Sequence, residues 1–169
     1  TARVVVVTGG ASGMGAASAA LFRSSGDVVA VVDLQQRPEG DVTVGDVSDP
    51  EQCTQIVDQV VADHGRLDVL VNAAGTIHRA DALGTTEDDW RRVMGANIGG
   101  TFFMSRAAVR HLAPAGRGVI VNFGSIWGDV GASGVTAYCV SKGAVHQLTK
   151  AMALDHADDG IRINAVAPG

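Results

Sequence analysis

Five stretches of this chain are apolar at most positions: Val4–Val7, Val28–Val32, Leu67–Val71, Val119–Phe123 and Ile161–Val166. A strand with one wet face alternates polar and apolar residues. A strand covered on both faces reads as an almost continuous apolar run. Longer helical patterns separate the runs, at Gly13–Ser24, Pro50–His64, Glu87–Leu112 and Thr136–His156. A weaker strand is expected at Val42–Val44. The order βαβ(β)αβαβαβ predicts an α/β fold of Rossmann type, a doubly wound parallel sheet between two helical layers. Glu87–Leu112 reads as one long helix with a glycine-rich middle at Gly95, Gly99 and Gly100. The helix from Pro50 follows Ser48 and Asp49, both good caps. Gln35–Asp41 is too short for a crossover helix and is expected to be a compact loop. With no repeat or linker, residues 1–169 read as a single domain.

Composition narrows the function classes. Hydrophobic residues make up 46% and aromatics only 4%, with 22 glycines, which suits Ala/Val-rich helices packed closely on a sheet. The net charge of -5 and the lack of a basic patch argue against nucleic acid. Cys53 and Cys139 have no metal-ligand spacing and read as free thiols in a reducing compartment. The histidines at 64, 78, 111, 146 and 156 are scattered, so no metal is expected and none is read as catalytic. His78, in the loop after Asn72–Gly75, is the one placed to touch a substrate. The apolar runs are strand-sized and no signal-like segment appears, so no membrane span is expected and the cytoplasm is the expected location.

The first strand runs into Thr8-Gly9-Gly10-Ala11-Ser12-Gly13-Met14-Gly15. Glycines at 9, 13 and 15 allow a tight turn and close approach of a pyrophosphate, with the next helix aiming its free N–H groups at that anion. Asp33 ends the second strand, eighteen positions after Gly15. It can accept hydrogen bonds from both ribose hydroxyls of an adenosine and would repel a 2′-phosphate, which favours NAD over NADP. Leu34 beside it brings no cation; Arg37 is the one nearby residue that works against this preference. Asp46-Val47 follows the third strand. Asp46 is either a contact to the adenine amino group or a turn residue leading to a helix cap at Ser48. Asn72-Ala73-Ala74-Gly75 closes another strand with small residues that let backbone lie against a ligand, and the Asn72 amide is placed to pin neighbouring strands.

Tyr138 and Lys142 are four apart on a helical pattern and share a face. Ser125 lies thirteen residues before the tyrosine. A phenol of ordinary pKa, about 10, is a poor proton carrier at neutral pH, and a nearby cation favours its phenolate. Trp127, just after Ser125, is either a pocket wall or a core or interface aromatic. Cys139 points away from Tyr138 on the helix and reads as packed.

With Thr8-Gly-x-x-x-Gly-x-Gly15, Asn72-Ala-Ala-Gly75, Asn97, Ser125, Tyr138-x-x-x-Lys142 and Pro168-Gly169 in order, the chain resembles the classical short-chain dehydrogenase/reductase family along nearly its whole length. The resemblance implies hydride transfer between NAD(H) and a secondary alcohol or ketone. Tyr138 would be the general acid/base. Lys142 would lower its pKa and bond the nicotinamide ribose, and Ser125 would hold the substrate oxygen. Asn97 would distort the long helix slightly and hold a water beside Lys142. Gly9, Ser12, Gly13, Met14, Gly15, Asp33, Leu34, Asp46, Val47, Asn72, Ala73, Ala74, Gly75, Tyr138, Lys142, Pro168 and Gly169 would contact the cofactor. In this family the helices Glu87–Leu112 and Thr136–His156 pair between subunits, which implies a homodimer or homotetramer. Family members usually continue for several tens of residues past Pro168-Gly169, through the segment over the nicotinamide and the substrate lid. Most specificity residues are therefore expected beyond Gly169. The rival readings are a dinucleotide-binding regulator without catalysis and an inactive fragment. The intact Ser125–Tyr138–Lys142 set argues against the first.

Overall fold

The run Val4–Thr8 forms β1, buried at every position, at the middle of a six-stranded sheet. The computed structural model describes residues 2–36 and 42–169. Arg37 and most of the Gln35–Asp41 connection lie outside the described residues. The other strands are β2 (Val28–Asp33), β3 (Val42–Val44), β4 (Val69–Asn72), β5 (Gly118–Phe123) and β6 (Ile161–Val166). All pairings are parallel, in the order β3-β2-β1-β4-β5-β6. That is the doubly wound Rossmann order, which reverses between β1 and β4 and opens a crevice there.

Alternate strand residues face opposite layers. Val4, Val6, Leu70 and Ile120 pack beneath α2 (Pro50–His64), α4 (Gly100–Ala115) and α5 (Thr136–Asp155), through Val57, Met104, Leu112 and Met152. Val5, Val7, Val31, Val69 and Val71 face α1 (Gly13–Ser24) through Ala19 and Phe22. Fully burying a Val or Leu side chain is worth roughly 1.5–3 kcal/mol, so these two faces fix the sheet between its helices.

Three local expectations change. First, β4 starts at Val69; just before it the Asp68 side chain accepts from the Val4 N–H (2.8 Å) and pairs with Arg66. Second, the cap of α2 is Asp49 rather than Ser48; its carboxylate accepts from the Glu51 and Gln52 N–H groups. Third, the long helix is not uniform. It consists of α3 (Glu87–Met94), a π turn over Gly95–Gly99 and then α4, which runs past Leu112 to Ala115. A π turn widens the ring, and two contacts hold it here. Gly100 lies so close to Val47 that a Cβ would meet its Cγ2 at 2.5 Å. The Thr101 hydroxyl donates to the Asn97 carbonyl (2.7 Å). Among the described residues no helix is long and apolar enough to cross a membrane.

Candidate active site

A cleft of about 460 Å³ opens at the carboxyl ends of the strands, where the strand order reverses. One wall is the turn after β1. Gly9 has φ 66°, and a Cβ there would sit 2.7 Å from the Ala74 backbone. At Gly15 a Cβ would lie 2.2 Å from the Gly9 oxygen. The turn is thus packed backbone to backbone, as a pyrophosphate cradle requires. The Ala74 N–H donates to Thr8 Oγ1 (3.1 Å), joining the ends of β1 and β4. Ser12 occupies the N-cap of α1, but its side chain caps nothing there. Ser12, Gly13, Met14 and Gly15 all line the cleft.

Asp33 lines the same cleft and is held at both oxygens, Oδ2 accepting from the Ala11 N–H (3.0 Å) and Oδ1 from the Gln35 N–H (3.1 Å). Each oxygen keeps a further acceptor site, so the residue can still receive two hydroxyls. Exposed Leu34 lies beside it. Asp46 makes the local turn, Oδ1 accepting from the Ser48 N–H (2.8 Å) and hydroxyl (2.7 Å), while it and Val47 remain on the cleft wall. Ala73, Ala74 and Gly75 form the floor.

Asn72 does not line the cleft. Its amide is buried and donates to Ser105 Oγ and Asn122 Oδ1 (both 2.9 Å), pinning β4 to β5 and α4. Val32, Gly45, Ser48, Thr76, Arg91, Arg92, Gly95 and Ala96 complete the lining, and sequence reasoning gave none of them a place in the cleft. Arg91 pairs with Glu87 and Asp88; Arg92 pairs with Asp89 and donates to Thr76 Oγ1 (3.0 Å). Their only sequence signal is a position one turn before Gly95.

Ser125, Tyr138 and Lys142 do not line the cleft themselves; they lie past its Gly75 end. A Cβ on Gly75 would stand 3.0 Å from Asn97 Oδ1 and 3.7 Å from Lys142 Nζ. Lys142 is buried at 6% exposure, and its ammonium donates to the Phe123 carbonyl (2.6 Å). Desolvation pushes its pKa down from 10.5 to about 8. Its Nζ is 5.6 Å from the centre of the Tyr138 ring, which stands edge-on to Trp127 at 6.1 Å. Trp127 thus packs edge-on against Tyr138. Ser125 caps the short turn Ile126–Gly128, its Oγ accepting from the Trp127 N–H (3.2 Å). Pro168 lies against this turn, its carbonyl accepting from the Ile126 N–H (2.9 Å), with Gly169 beside Ile126. Neither residue lines the cleft.

Asn97 sits in the π turn and is fully buried. Its Oδ1 accepts from the Thr76 N–H (2.7 Å), and its Nδ2 donates to the Thr76 carbonyl (2.9 Å) and Ser141 Oγ (2.8 Å). The Ser141 hydroxyl in turn donates to the Tyr138 carbonyl (2.8 Å). The side-chain amide is thus bonded to protein at both ends. It braces the loop after β4 against the helix that carries Tyr138 and Lys142.

The backbone cradle, the doubly held carboxylate and the buried lysine at the far end fit a dinucleotide lying across the crevice. The fold and site together define a dinucleotide-binding α/β protein. The chain belongs to the short-chain dehydrogenase family, an oxidoreductase family that binds nicotinamide dinucleotides, whose model matches residues 3–169. It is 41% identical to meso-2,3-butanediol dehydrogenase of Serratia marcescens, over 98% of this chain and 70% of that protein. It is 38% identical to cyclopentanol dehydrogenase of Comamonas testosteroni, over 99% of this chain and 72% of that protein. The crystal structure of an NAD+-bound xylitol dehydrogenase superposes with a TM-score of 0.94 at 34% identity, covering 99% of this chain and 70% of that one.

Proposed function

We propose that the protein oxidises small secondary alcohols, or reduces the matching ketones, with NAD(H). The observation that carries this reading is Lys142, an ammonium buried where the cleft ends and adjoining the Tyr138 ring. A charge is costly to bury unless it serves a partner.

The nicotinamide would supply the hydride acceptor when bound. Everything else falls to the chain. Ser125 Oγ holds the substrate oxygen, and Tyr138 takes the hydroxyl proton as the hydride leaves. Lys142 favours the phenolate form of Tyr138 by its charge and anchors the ribose. Asp33 accepts the adenosine ribose hydroxyls, which supports NAD over NADP. Gly9, Gly13 and Gly15 admit the pyrophosphate, and Asn97 keeps the loop after β4 and α5 in register. The relatives named for butanediol and cyclopentanol support a small alcohol or diol as substrate.

The exposed apolar residues of the two long helices support a homodimer or homotetramer. Phe102 and Val140 are exposed, with Arg106 stacked over Phe102 and Phe103. Sedimentation analysis tests this, and a monomer at micromolar concentration rejects it.

The activity test is a screen of 2,3-butanediol, cyclopentanol and other secondary alcohols on the full-length protein, following absorbance of the reduced cofactor. NAD+-dependent turnover is expected. A clear preference for NADP+ removes the role given to Asp33. Tight NAD binding with no turnover of any alcohol points to the regulator reading instead.

A further inference from the structure

The amide of Ser125 has lost its place in the sheet. Along β5 the N–H groups alternate sides: that of Val119 donates toward β4, to Asp68, and that of Gly124 donates toward β6, to Val166. Past the strand, Ile126 keeps to the second side, donating to Pro168. Ser125 is extended (φ -167°, ψ 154°) and falls with the first set, but β4 ended at Asn72, level with Asn122. A buried N–H without an acceptor costs about 1–3 kcal/mol. Here His146 supplies the acceptor, its Nε2 lying 3.4 Å from the Ser125 nitrogen.

The imidazole is held at both nitrogens. Its Nδ1 lies 3.0 Å from Asp129 Oδ1. Because the Ser125 amide can only donate, Nε2 must be the bare nitrogen and Nδ1 must carry the proton given to Asp129. The ring fills a slot between two glycines. A Cβ on Gly124 would fall 2.1 Å from Nε2, and one on Gly128 would fall 2.8 Å from Cε1. His146 also stands one helical turn after Lys142, which grips the Phe123 carbonyl. α5 therefore holds the end of β5 at two points, the carbonyl of residue 123 and the amide of residue 125.

We propose that His146, oriented by Asp129, is a positioning residue for Ser125, setting the backbone from which its hydroxyl reaches the substrate oxygen. The proposal rests on the dehydrogenase reading of Ser125. Its test has one arm that needs no substrate.

Amide hydrogen exchange at Ser125 is compared in the full-length wild type, His146→Leu and His146→Gln, the last able to accept from the amide through its side-chain oxygen. Exchange is expected to speed at least tenfold in His146→Leu and to stay near wild type in His146→Gln. With a secondary alcohol, kcat should fall about 10–100-fold in His146→Leu while NAD+ affinity is unchanged, and His146→Gln should restore most of it. Unchanged exchange in His146→Leu overturns the clamp whatever the activity does. Faster exchange with undiminished kcat overturns the positioning role. If His146→Leu does not fold, Asp129→Ala at the exposed carboxylate replaces it, with faster Ser125 exchange and lower kcat expected; unchanged values in that variant overturn the proposal. A wild type that turns over no alcohol sinks the dehydrogenase reading instead, and exchange still decides the clamp.

Discussion

The two ends of the cleft are built from different materials. At the glycine-turn end the chain packs backbone on backbone: Gly9 against Ala74, Gly15 against Gly9, and the Gly9 N–H on the Val32 carbonyl (2.8 Å). At the tyrosine end the same precision comes from buried side chains. Asn72, Asn97, Asn122, Ser141 and Lys142 join β4, β5, the π turn and α5. A site made of backbone tolerates many side chains but no stray Cβ. One made of buried polar groups tolerates no lost partner, because each orphaned group must be desolvated without compensation.

The sharpest way to break this contrast is Tyr138→Phe, which removes one hydroxyl and leaves the backbone-built end alone. Turnover should fall at least ~10²–10⁴-fold, the usual worth of positioned proton transfer, while calorimetry finds NAD affinity unchanged. An undiminished rate would falsify the role of the phenol.

Next in size is the buried ammonium. Between about pH 8 and 10.5 the unfolded chain keeps the Lys142 proton and the folded apoprotein has released it. The unfolded state then binds more protons, so stability should rise with pH across that window, by up to about 3 kcal/mol, and level off above it. Lys142→Met should abolish this rise. Urea titrations at several pH values read it, and a rise that persists in the variant rejects the assignment.

Asp33→Ser probes the glycine-turn end by charge. Losing a charged acceptor costs about 1.5–3 kcal/mol, so kcat/KM with NAD+ should drop roughly 10–100-fold and the gap to NADP+ should close. If the ratio between the cofactors does not move, Asp33 is a turn residue only.

The smallest effect separates strain from crowding. Gly13 has φ 53° with open space around a Cβ, whereas Gly9 has φ 66° and the Ala74 backbone in the way. Gly13→Ala should cost only the left-handed penalty of about 1–2 kcal/mol, and Gly9→Ala distinctly more, read as thermal midpoints. Equal shifts in the two variants would mean that the turn is not tightly packed.

The same contrast explains what the sequence made legible. Apolar runs marked the strands, and β1, whose neighbours cover both faces, was the plainest. The glycine turn was legible because backbone geometry is written as spacing: Gly9, Gly13 and Gly15 must fall where they do. The buried brace was not. Asn97 reaches Thr76 across 21 residues and Ser141 across 44, and no local pattern announces a partner that distant. Asn72 was read both as a strand pin and as a cofactor contact; its amide does pin β4 to β5, but the residue stays out of the cleft. His146 looked incidental, since its meaning depends on where β4 stops. The cap of α2 fell one residue later than one reading had it, because Asp46 engages Ser48 and leaves Asp49 free to cap.

The π turn has a consequence for the rod that contains it. Wound as an unbroken α-helix, every residue past Gly99 would swing about 100° and climb 1.5 Å relative to α3. Met104, Ala108 and Leu112 would leave the apolar layer they now fill, and Gly100 would leave Val47. The wide turn acts as a clutch between two gears on one shaft. It lets the first half of the rod present Arg91 and Arg92 to the cleft while the second half presents its apolar edge to the sheet.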